Sequence, residues 1–332
     1  MSSVAEVHRP SLPARIIYAV FAALMPRWVR WNNRRGGPDG RAGVLTKLGR
    51  RTNTIARLQR VRPHLGVHFT RESAAGVPVE VVRRTDAPLS DGVILYFHGG
   101  GFFTGGLDTH LHVVVRLARL TGLPVVHVDY RQFPEVTVDG SVADCVGAYR
   151  WLLDQGADPA KTVIAGDSAG GFLTFATALR AQQEGMPAPA GVIGISAWLE
   201  LDGEARSTHP NQGSDAFGIA DALPDLVDQV CPVPEMRREL APINGPLATM
   251  PPALLIAAES EILRCDNERL HAALQAHGRP SRLELWASQL HAFPALFPFL
   301  PERRAAFALI TRFVAECLAD ADRPDQSRRE VS

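Results

Sequence analysis

The sequence has few cysteines and no hydrophobic run long enough to cross a membrane. Its 332 residues include four cysteines, which lie far apart and show neither a metal-ligand spacing nor a dense disulfide pattern. We therefore expect core or surface thiols in a reducing compartment, the cytoplasm, and no metal site. The apolar run at 16–25 is too short to span a bilayer, and no small-residue cleavage site clearly follows it, so no secretory signal is predicted.

A net charge is also lacking, because 35 Lys and Arg balance 35 Asp and Glu. The balance hides an asymmetry: residues 1–71 contain 14 basic and 2 acidic side chains, a net charge of +12, which leaves −12 for the rest. Apolar residues interrupt the basic ones and no recognisable motif is formed, so nucleic acid is not an expected partner. The pattern favours a cationic layer that lies on the acidic body of the protein or on an anionic membrane surface.

The N-terminal 65 residues have helical rather than strand periodicity. The apolar residues of 14–31 can share one helical face with arginines around it, and Pro26 is expected to kink or split this helix. A second helix is predicted at 44–60, whereas residues 2–13 are predicted to be disordered. We interpret residues 1–65 as cap or lid helices packed on the body, with a peripheral membrane contact as the alternative.

Beyond Gly66 the sequence alternates between strand and helix patterns. A hairpin is predicted over 67–83, followed by a continuous apolar strand at 93–97 and then by strands and helices in turn. This alternation predicts an α/β fold with a mostly parallel sheet and helices on both faces. The body would extend to residue 320 with a loop-rich insertion at 200–250, and the tail at 321–332 is predicted to be disordered. The strands predicted after the first apolar one are 124–129, 162–166, 191–196, 253–258 and 281–286.

A glycine-rich turn joins one of these strands to the next helix. Its sequence, Gly-Asp-Ser-Ala-Gly-Gly, follows the apolar run that ends at Ala165. A strand, a Gly-x-Ser-x-Gly turn and a helix together form a nucleophile elbow, in which Ser168 is exposed at the carboxyl end of the sheet. Gly166 and Gly170 remove the clashes that side chains would cause in so tight a turn. Ser168 is therefore the candidate nucleophile.

A second glycine loop, His98 to Phe102, directly follows the central apolar strand. Without a Cβ, the backbone N–H groups of such a loop can point into a site and stabilise the oxyanion of an acyl-transfer reaction. Gly100, Gly101 and Ala169, which follows the nucleophile, are the candidate donors of this oxyanion hole. A histidine before such a loop is typically structural, so His98 is not expected to transfer protons.

Three motifs in order resemble the hormone-sensitive-lipase-like family of α/β-hydrolases. They are HGGGF at 98–102, DYRQFPE at 129–135 in place of the usual DYRLAPE, and GDSAGG at 166–171. The Asp-Cys-x-x-Ala-x-x-Trp-Leu pattern at 144–152 also matches, and the resemblance covers residues 66–319. It implies an α/β-hydrolase fold with a helical cap built from the N-terminal helices and the insertion. It also implies a serine carboxylesterase or lipase that acts on small-molecule esters without a cofactor.

The remaining catalytic residues are sought in the order that α/β-hydrolases follow, serine, acid, histidine. His291 follows the last strand through a short loop and matches the family's His-Gly-Phe-like position, with Ala292 in place of glycine. The resemblance places the acid at Glu261, where the family typically has aspartate. Glu259 and Asp266 are the alternatives, and Asp266 is also a candidate first-turn residue of a helix.

Several neighbours of these residues have two interpretations. Phe102, Phe103 and Trp198 could line an acyl pocket or belong to the ordinary core. Asp167 is expected to hold neighbouring loops together, with Tyr130 and Arg131 as partners. The resemblance implies that Glu135 fixes the loop beneath the site.

Hydrolysis of carboxylic esters through an acyl-enzyme intermediate is the predicted function. The alternatives are hydrolysis of an amide, a lactone or the acetyl group of a secondary metabolite, and a non-catalytic small-molecule receptor, as the resemblance to gibberellin receptors allows. A membrane-surface protein that uses the basic N-terminal layer is a third class. The sequence leaves open the acyl length, the alcohol and the oligomeric state, for which a homodimer is one candidate.

Overall fold

A nine-stranded sheet forms the centre of the protein in a computed structural model, which describes residues 6–35, 66–220 and 222–321. The strand order is β1-β9-β8-β7-β6-β4-β5-β3-β2. Among the described strands, β2 pairs antiparallel with β3 and β3 with β5, and the other pairings are parallel. The strands are β1 (Glu6–His8), β2 (His68–Ala74), β3 (Val77–Arg83), β4 (Val93–Phe97), β5 (Val125–Val128), β6 (Thr162–Asp167), β7 (Gly191–Ile195), β8 (Ala253–Ala258) and β9 (Ser281–Trp286).

Helices cover both faces of this sheet, as the alternating sequence pattern predicts. The central strands β4 and β8 are buried at every residue because helices cover them on both sides. One buried apolar cluster includes α3, α4 and α8, and a second, on the other face, includes α2 and α10. The helices are α1 (Leu12–Arg35), α2 (Leu111–Thr121), α3 (Val138–Asp154), α4 (Ala169–Gln183), α5 (Glu204–Ser207), α6 (Leu223–Val230), α7 (Pro234–Leu240), α8 (Arg264–Ala276), α9 (Phe293–Leu296) and α10 (Pro301–Ala321).

The N-terminal strand β1 corrects the prediction that residues 2–13 are disordered. Glu6–His8 pairs in parallel with β9, so that Glu6 lies opposite Glu284 and His8 opposite Trp286. The imidazole of His8 stacks on the Trp286 indole at a centroid distance of 3.9 Å, and its Nε2 lies 2.7 Å from Glu284 Oε2. A three-residue strand is too short to show a period in the sequence, and its stability comes from β9.

The rest of the N-terminal region is described only as far as α1. This helix continues through Pro26 as one element, so it is not split there. Its buried residue Ala14 joins the second core cluster. The helix predicted at 44–60 lies outside the described residues, as does all of the predicted tail except Ala321, which ends α10. No described helix is long and apolar enough to cross a membrane.

The insertion at 200–250 consists of short helices joined by turns. It contains α5, α6 and α7 together with three single-turn 3₁₀ helices, the first at Pro210–Gly213. It leaves the sheet after β7 and returns to it at β8, which is adjacent in the sheet. The segment between α5 and α6 therefore lies beside the loops that follow these strands.

Candidate active site

Ser168 lies between β6 and α4 in a backbone conformation that non-glycine residues rarely adopt. Its φ is 53° and its ψ is −120°. A Cβ at Gly166 would collide with the carbonyl of Gly170, and a Cβ at Gly170 would collide with the carbonyl of Phe97. The two glycines therefore make the elbow sterically possible. The Ser168 N–H donates to Ile195 O over 2.8 Å, which ties the turn to the neighbouring strand.

A hydrogen-bonded chain links Ser168 to a histidine and a carboxylate. His291 Nε2 lies 2.9 Å from Ser168 Oγ, and His291 Nδ1 lies 2.7 Å from Glu261 Oε2. The other carboxylate oxygen, Glu261 Oε1, accepts the Ala258 N–H over 2.8 Å. A carboxylate accepts from Nδ1–H, so Nε2 is left as the acceptor for the serine hydroxyl. The arrangement can remove a proton from Ser168.

The three candidate acids have different surroundings. Glu261 is 2% exposed and contacts His291. Asp266 lies in the first turn of α8, as the sequence indicates, and accepts from the backbone of Leu199 and from the side chain of Arg206. Glu259 is half-buried, and its backbone carbonyl accepts from two side chains. Of the three, the structure brings Glu261 to the imidazole.

The charges around His291 raise its pKa above the ordinary value of 6.5. Burial by itself lowers the pKa, but the hydrogen bond and charge of Glu261 act in the opposite direction. Asp215 and Asp167 add smaller effects of the same sign. The imidazolium form is therefore stabilised at the position where it would arise during acyl transfer.

The loop at 98–102 is held beside the elbow through its first glycine. The Gly99 N–H donates to Asp167 Oδ1 over 3.1 Å. Gly100 and Gly101 have φ values of 131° and 63°, and a Cβ on Gly100 would collide with the carbonyl of Thr104. Their N–H groups have no acceptor among the described residues, and Ala169 begins α4, where N–H groups also lack helical acceptors. All three donors remain available to a ligand.

The predicted partners of Asp167 are wrong. Its carboxylate accepts from Tyr96 Oη over 2.6 Å and lies 3.3 Å from His110 Nε2, in addition to its bond with Gly99. Burial would raise its pKa, but His110 and these hydrogen bonds outweigh burial and lower the pKa to about 2. Asp167 thus remains an anion that joins β4, α2 and the glycine loop. The partners come from elements that sequence spacing does not bring together.

Tyr130 and Arg131 bind other groups. Tyr130 Oη donates to His98 O over 2.7 Å, and Arg131 forms an ion pair with Asp144 at 2.6 Å. Burial lowers the pKa of His98 to about 3, so its imidazole is neutral.

Glu135 is exposed, and its backbone N–H donates to Gln132 O. The ion pair between Arg131 and Asp144 fixes this loop, and the role of the Glu135 side chain in it stays a prediction.

The aromatic candidates for the pocket divide into two groups. Phe102 and Trp198 are each 1% exposed, and their ring centroids lie 5.5 Å apart within the core. Phe103 is half-buried. Sequence reasoning missed Phe217, whose ring lies 6.1 Å from the His291 ring. No motif marks Phe217, because it lies in the loop-rich insertion.

Two further polar contacts at the site were also missed. Ala292 has a φ of 48°, which fits the position where the resembling family has glycine, and its N–H donates to Ser196 Oγ over 2.9 Å. Asp215, a buried carboxylate of the insertion, accepts the Ile262 N–H over 3.3 Å. Both contacts orient the loops that carry His291 and Glu261.

One group of side chains among the described residues could hold a metal ion. Glu6, His8 and Glu284 offer ligand atoms within 4.8 Å of one another. They lie on β1 and β9 at the edge of the sheet, whereas Ser168 follows β6, three strands further in. This group is therefore separate from the serine, histidine and glutamate.

Known proteins are similar to this chain in sequence and in fold. A sequence model for the alpha/beta hydrolase fold matches residues 94–295. Esterase LipU of Mycobacterium tuberculosis is 34% identical over 273 residues, which cover 78% of this chain and 91% of the relative. Carboxylesterase/phospholipase LipF of the same organism is 32% identical over 272 residues, 78% of this chain and 72% of the relative. The crystal structure of an esterase from the bacterial hormone-sensitive lipase family has a TM-score of 0.78 and 27% identity, and the match covers 93% of this chain and 99% of that one.

Proposed function

Because the chain belongs to the hormone-sensitive-lipase-like family of α/β-hydrolases and is a carboxylic ester hydrolase, we propose that Ser168, His291 and Glu261 are its catalytic triad. The hydrogen-bonded chain from Ser168 Oγ through His291 to Glu261 carries this proposal. The predicted activity is confirmed by relatives that are named esterases, which sets aside the non-catalytic receptor. The substrate is a small-molecule ester.

In the proposed mechanism, His291 Nε2 takes the proton from Ser168 as its Oγ attacks the ester carbonyl. Glu261 holds the imidazole in the tautomer that has its proton on Nδ1, and its charge stabilises the imidazolium that forms. His291 then protonates the leaving alcohol and later activates the water that hydrolyses the acyl-enzyme. In each step the proton is accepted or donated by the same atom, His291 Nε2.

The oxyanion of both tetrahedral intermediates would be bound by the N–H groups of Gly100, Gly101 and Ala169. Their lack of acceptors among the described residues supports this assignment. The Gly99 N–H is excluded because Asp167 accepts it. A single donor of this kind contributes about 3 kcal/mol to transition-state stabilisation.

The raised pKa of His291 predicts where activity is lost on acidification. The neutral imidazole is the base, so kcat/KM should fall as the pH falls through the pKa of His291 in the free enzyme. Since that pKa is raised, the acidic limb should have its midpoint above 6.5. The measurement is kcat/KM for p-nitrophenyl butyrate from pH 5 to 9, with thermal unfolding recorded at each pH. A midpoint below 6.5 in folded protein would contradict the assignment of His291 as a base paired with Glu261.

We also propose that the N-terminal region after β1, up to residue 65, and the insertion at 200–250 form a cap over the catalytic body, whereas β1 itself belongs to the sheet. Two contacts of α1 support this: Tyr18 Oη donates to Ser214 O over 3.2 Å, and the Phe21 ring lies 6.3 Å from that of Phe217. Phe217 in turn lies beside His291. The N-terminal helix is thus connected to the imidazole by one intervening residue of the insertion.

The four cysteines are free and buried, which supports a reducing location, the cytoplasm.

The outer face of α1 supports a peripheral contact with an anionic lipid surface. Between 38% and 69% of each apolar side chain in the stripe Leu12, Ile16, Val20, Leu24 and Trp28 is exposed. Arg15 and Arg27 are exposed on the same helix, which contains no acidic residue. An apolar stripe with cations and no anions matches the interface of an anionic bilayer. The name of LipF, carboxylesterase/phospholipase, fits an enzyme of this family that acts at such a surface.

Flotation with vesicles tests this contact. We expect the full chain to float with phosphatidylglycerol vesicles. Ile16→Glu/Leu24→Glu should bind about a thousandfold more weakly, because each of the two side chains contributes about 2 kcal/mol when it is buried. Leu120→Glu, the same kind of change at an exposed leucine on α2, is the control and should float as wild type does. Equal flotation of wild type and double variant would refute the contact. If the double variant elutes from gel filtration as a smaller species than wild type does, the stripe is instead an interface with a second copy of the chain.

A further inference from the structure

The insertion is hydrogen-bonded to the loop that carries Glu261. Asn211 Nδ2 donates to two carbonyls of this loop, Glu259 O over 2.8 Å and Glu261 O over 2.9 Å. Asp215 Oδ2 accepts the N–H of Ile262, the residue after Glu261, over 3.3 Å. Asn211 is 8% exposed and Asp215 is 7% exposed. The backbone on both sides of the Glu261 side chain is therefore held by two buried polar groups from another part of the chain.

We propose that Asp215 is a positioning residue for ester hydrolysis, which holds the Glu261 loop and provides a second negative charge for the His291 imidazolium. This inference rests on the triad proposed above. Asp215 does not contact the reacting atoms, and it acts through Glu261 and His291. The insertion would then contribute to chemistry as well as to covering the site.

The hydrogen bonds of Asp215 are those of an ionised carboxylate. Oδ1 accepts the Phe217 N–H over 2.9 Å while Oδ2 accepts the Ile262 N–H, so both oxygens are acceptors and neither donates to these groups. Burial raises the pKa of this carboxyl, and among the opposing interactions the charge of His291 is the largest. A positive imidazole and a negative Asp215 therefore stabilise each other in a site with little access to water.

Three carboxylates raise the pKa of the His291 imidazole, and they differ in their other contacts. Glu261 is hydrogen-bonded to the imidazole itself. Asp167, beside the nucleophile, lies against His110, so a second imidazole shares its charge. Asp215 forms no salt bridge with a cationic side chain among the described residues, and its two hydrogen bonds come from uncharged N–H groups. No cationic side chain among the described residues therefore competes with His291 for the charge of Asp215.

The test compares Asp215→Asn with wild type in the full chain, with p-nitrophenyl butyrate as the probe. Asparagine can still accept from one N–H but has no charge. We expect kcat to fall about tenfold at pH 7 with KM within about twofold, and the acidic limb of kcat/KM to move about one pH unit lower, because a nearby negative charge no longer stabilises the imidazolium. Asp228→Asn is the matched control, since Asp228 lies in the same insertion but pairs with Arg237 and is exposed. It should match wild type in both rate and pH profile.

A second variant separates charge from packing. Asp215→Glu keeps the charge but changes the reach of the side chain, so the acidic limb should remain at its wild-type position even where the rate falls. A limb that stays unchanged in Asp215→Asn, or one that moves equally in both variants, would overturn the proposal and leave Asp215 a structural residue. If Asp215→Asn does not fold, the Asp215→Glu profile still decides, since a displaced limb there refutes the charge effect. Failure of the triad itself is distinguishable, because it appears as ester hydrolysis that Ser168→Ala retains.

Discussion

Replacement of Ser168 by alanine should abolish ester hydrolysis and leave the fold intact. We expect kcat to fall by about 10⁴-fold or more, because the nucleophile is lost while the oxyanion donors and binding groups remain. The Oγ of Ser168 hydrogen-bonds to His291, whereas the turn itself is tied by backbone bonds that alanine keeps. Thermal unfolding should therefore be unchanged within a few degrees. Initial rates on p-nitrophenyl butyrate, together with circular dichroism melting, measure both quantities.

Ser207→Ala is a suitable control for the loss of a serine hydroxyl. Ser207 lies in the insertion, and its Oγ donates to Glu204 O at the surface, away from the triad. It should retain wild-type activity. Covalent labelling gives an independent measurement: a sulfonyl fluoride should add to the peptide that contains Ser168 in wild type and leave the Ser168→Ala peptide unmodified. More than one per cent of wild-type turnover in purified Ser168→Ala would assign the nucleophile to another residue.

Glu261→Gln has the second largest expected effect. An amide at this position can present an N–H to Nδ1 and so favour the tautomer that has its proton on Nε2, which cannot accept from Ser168. The charge that stabilises the imidazolium is lost at the same time. We expect kcat to fall about 10³-fold to 10⁴-fold, as for other triads that lose the carboxylate but keep its shape. Steady-state kinetics on the same ester measure this, and binding of substrate should change far less than kcat.

Glu259→Gln provides the matched comparison, two residues away in the same loop. Glu259 uses its backbone carbonyl in the described contacts, which the substitution preserves. Its kcat should stay within about threefold of wild type, since the substitution removes none of the described contacts. Full activity in Glu261→Gln with loss in Glu259→Gln would exchange the roles of the two carboxylates.

The sequence alone predicts the parts of the molecule that depend on local pattern. Continuous apolar runs predict the buried strands, and β8 and β9 have the predicted bounds because turn residues flank them. Ser168 can be found because an elbow needs glycines at fixed offsets. His291 can be found because chain order and its place after the last strand are both visible in the sequence.

Other parts depend on contacts between distant segments, which a single sequence does not show. The choice of Glu261 among three acids becomes clear only once the loop after β8 is placed against His291. The partners of Asp167, Tyr96 and His110, come from β4 and from the start of α2. Asp215 lies in a segment with no periodicity. In each case the three-dimensional arrangement of the chain determines which groups contact a buried charged side chain, and sequence spacing does not reveal that arrangement.

The pairing of β1 with β9 has a consequence for the order of folding. His8 and Glu284 are 276 positions apart, so this contact cannot form until most of the chain has been synthesised. Of the strands that the structure describes, β1 leaves the ribosome first and is among the last to be placed, and its pairing with β9 raises the contact order of the fold. Until then β9 is a bare edge that can pair with another chain. An N-terminal fusion that blocks β1 should therefore promote aggregation during synthesis, whereas a C-terminal fusion leaves this edge protected.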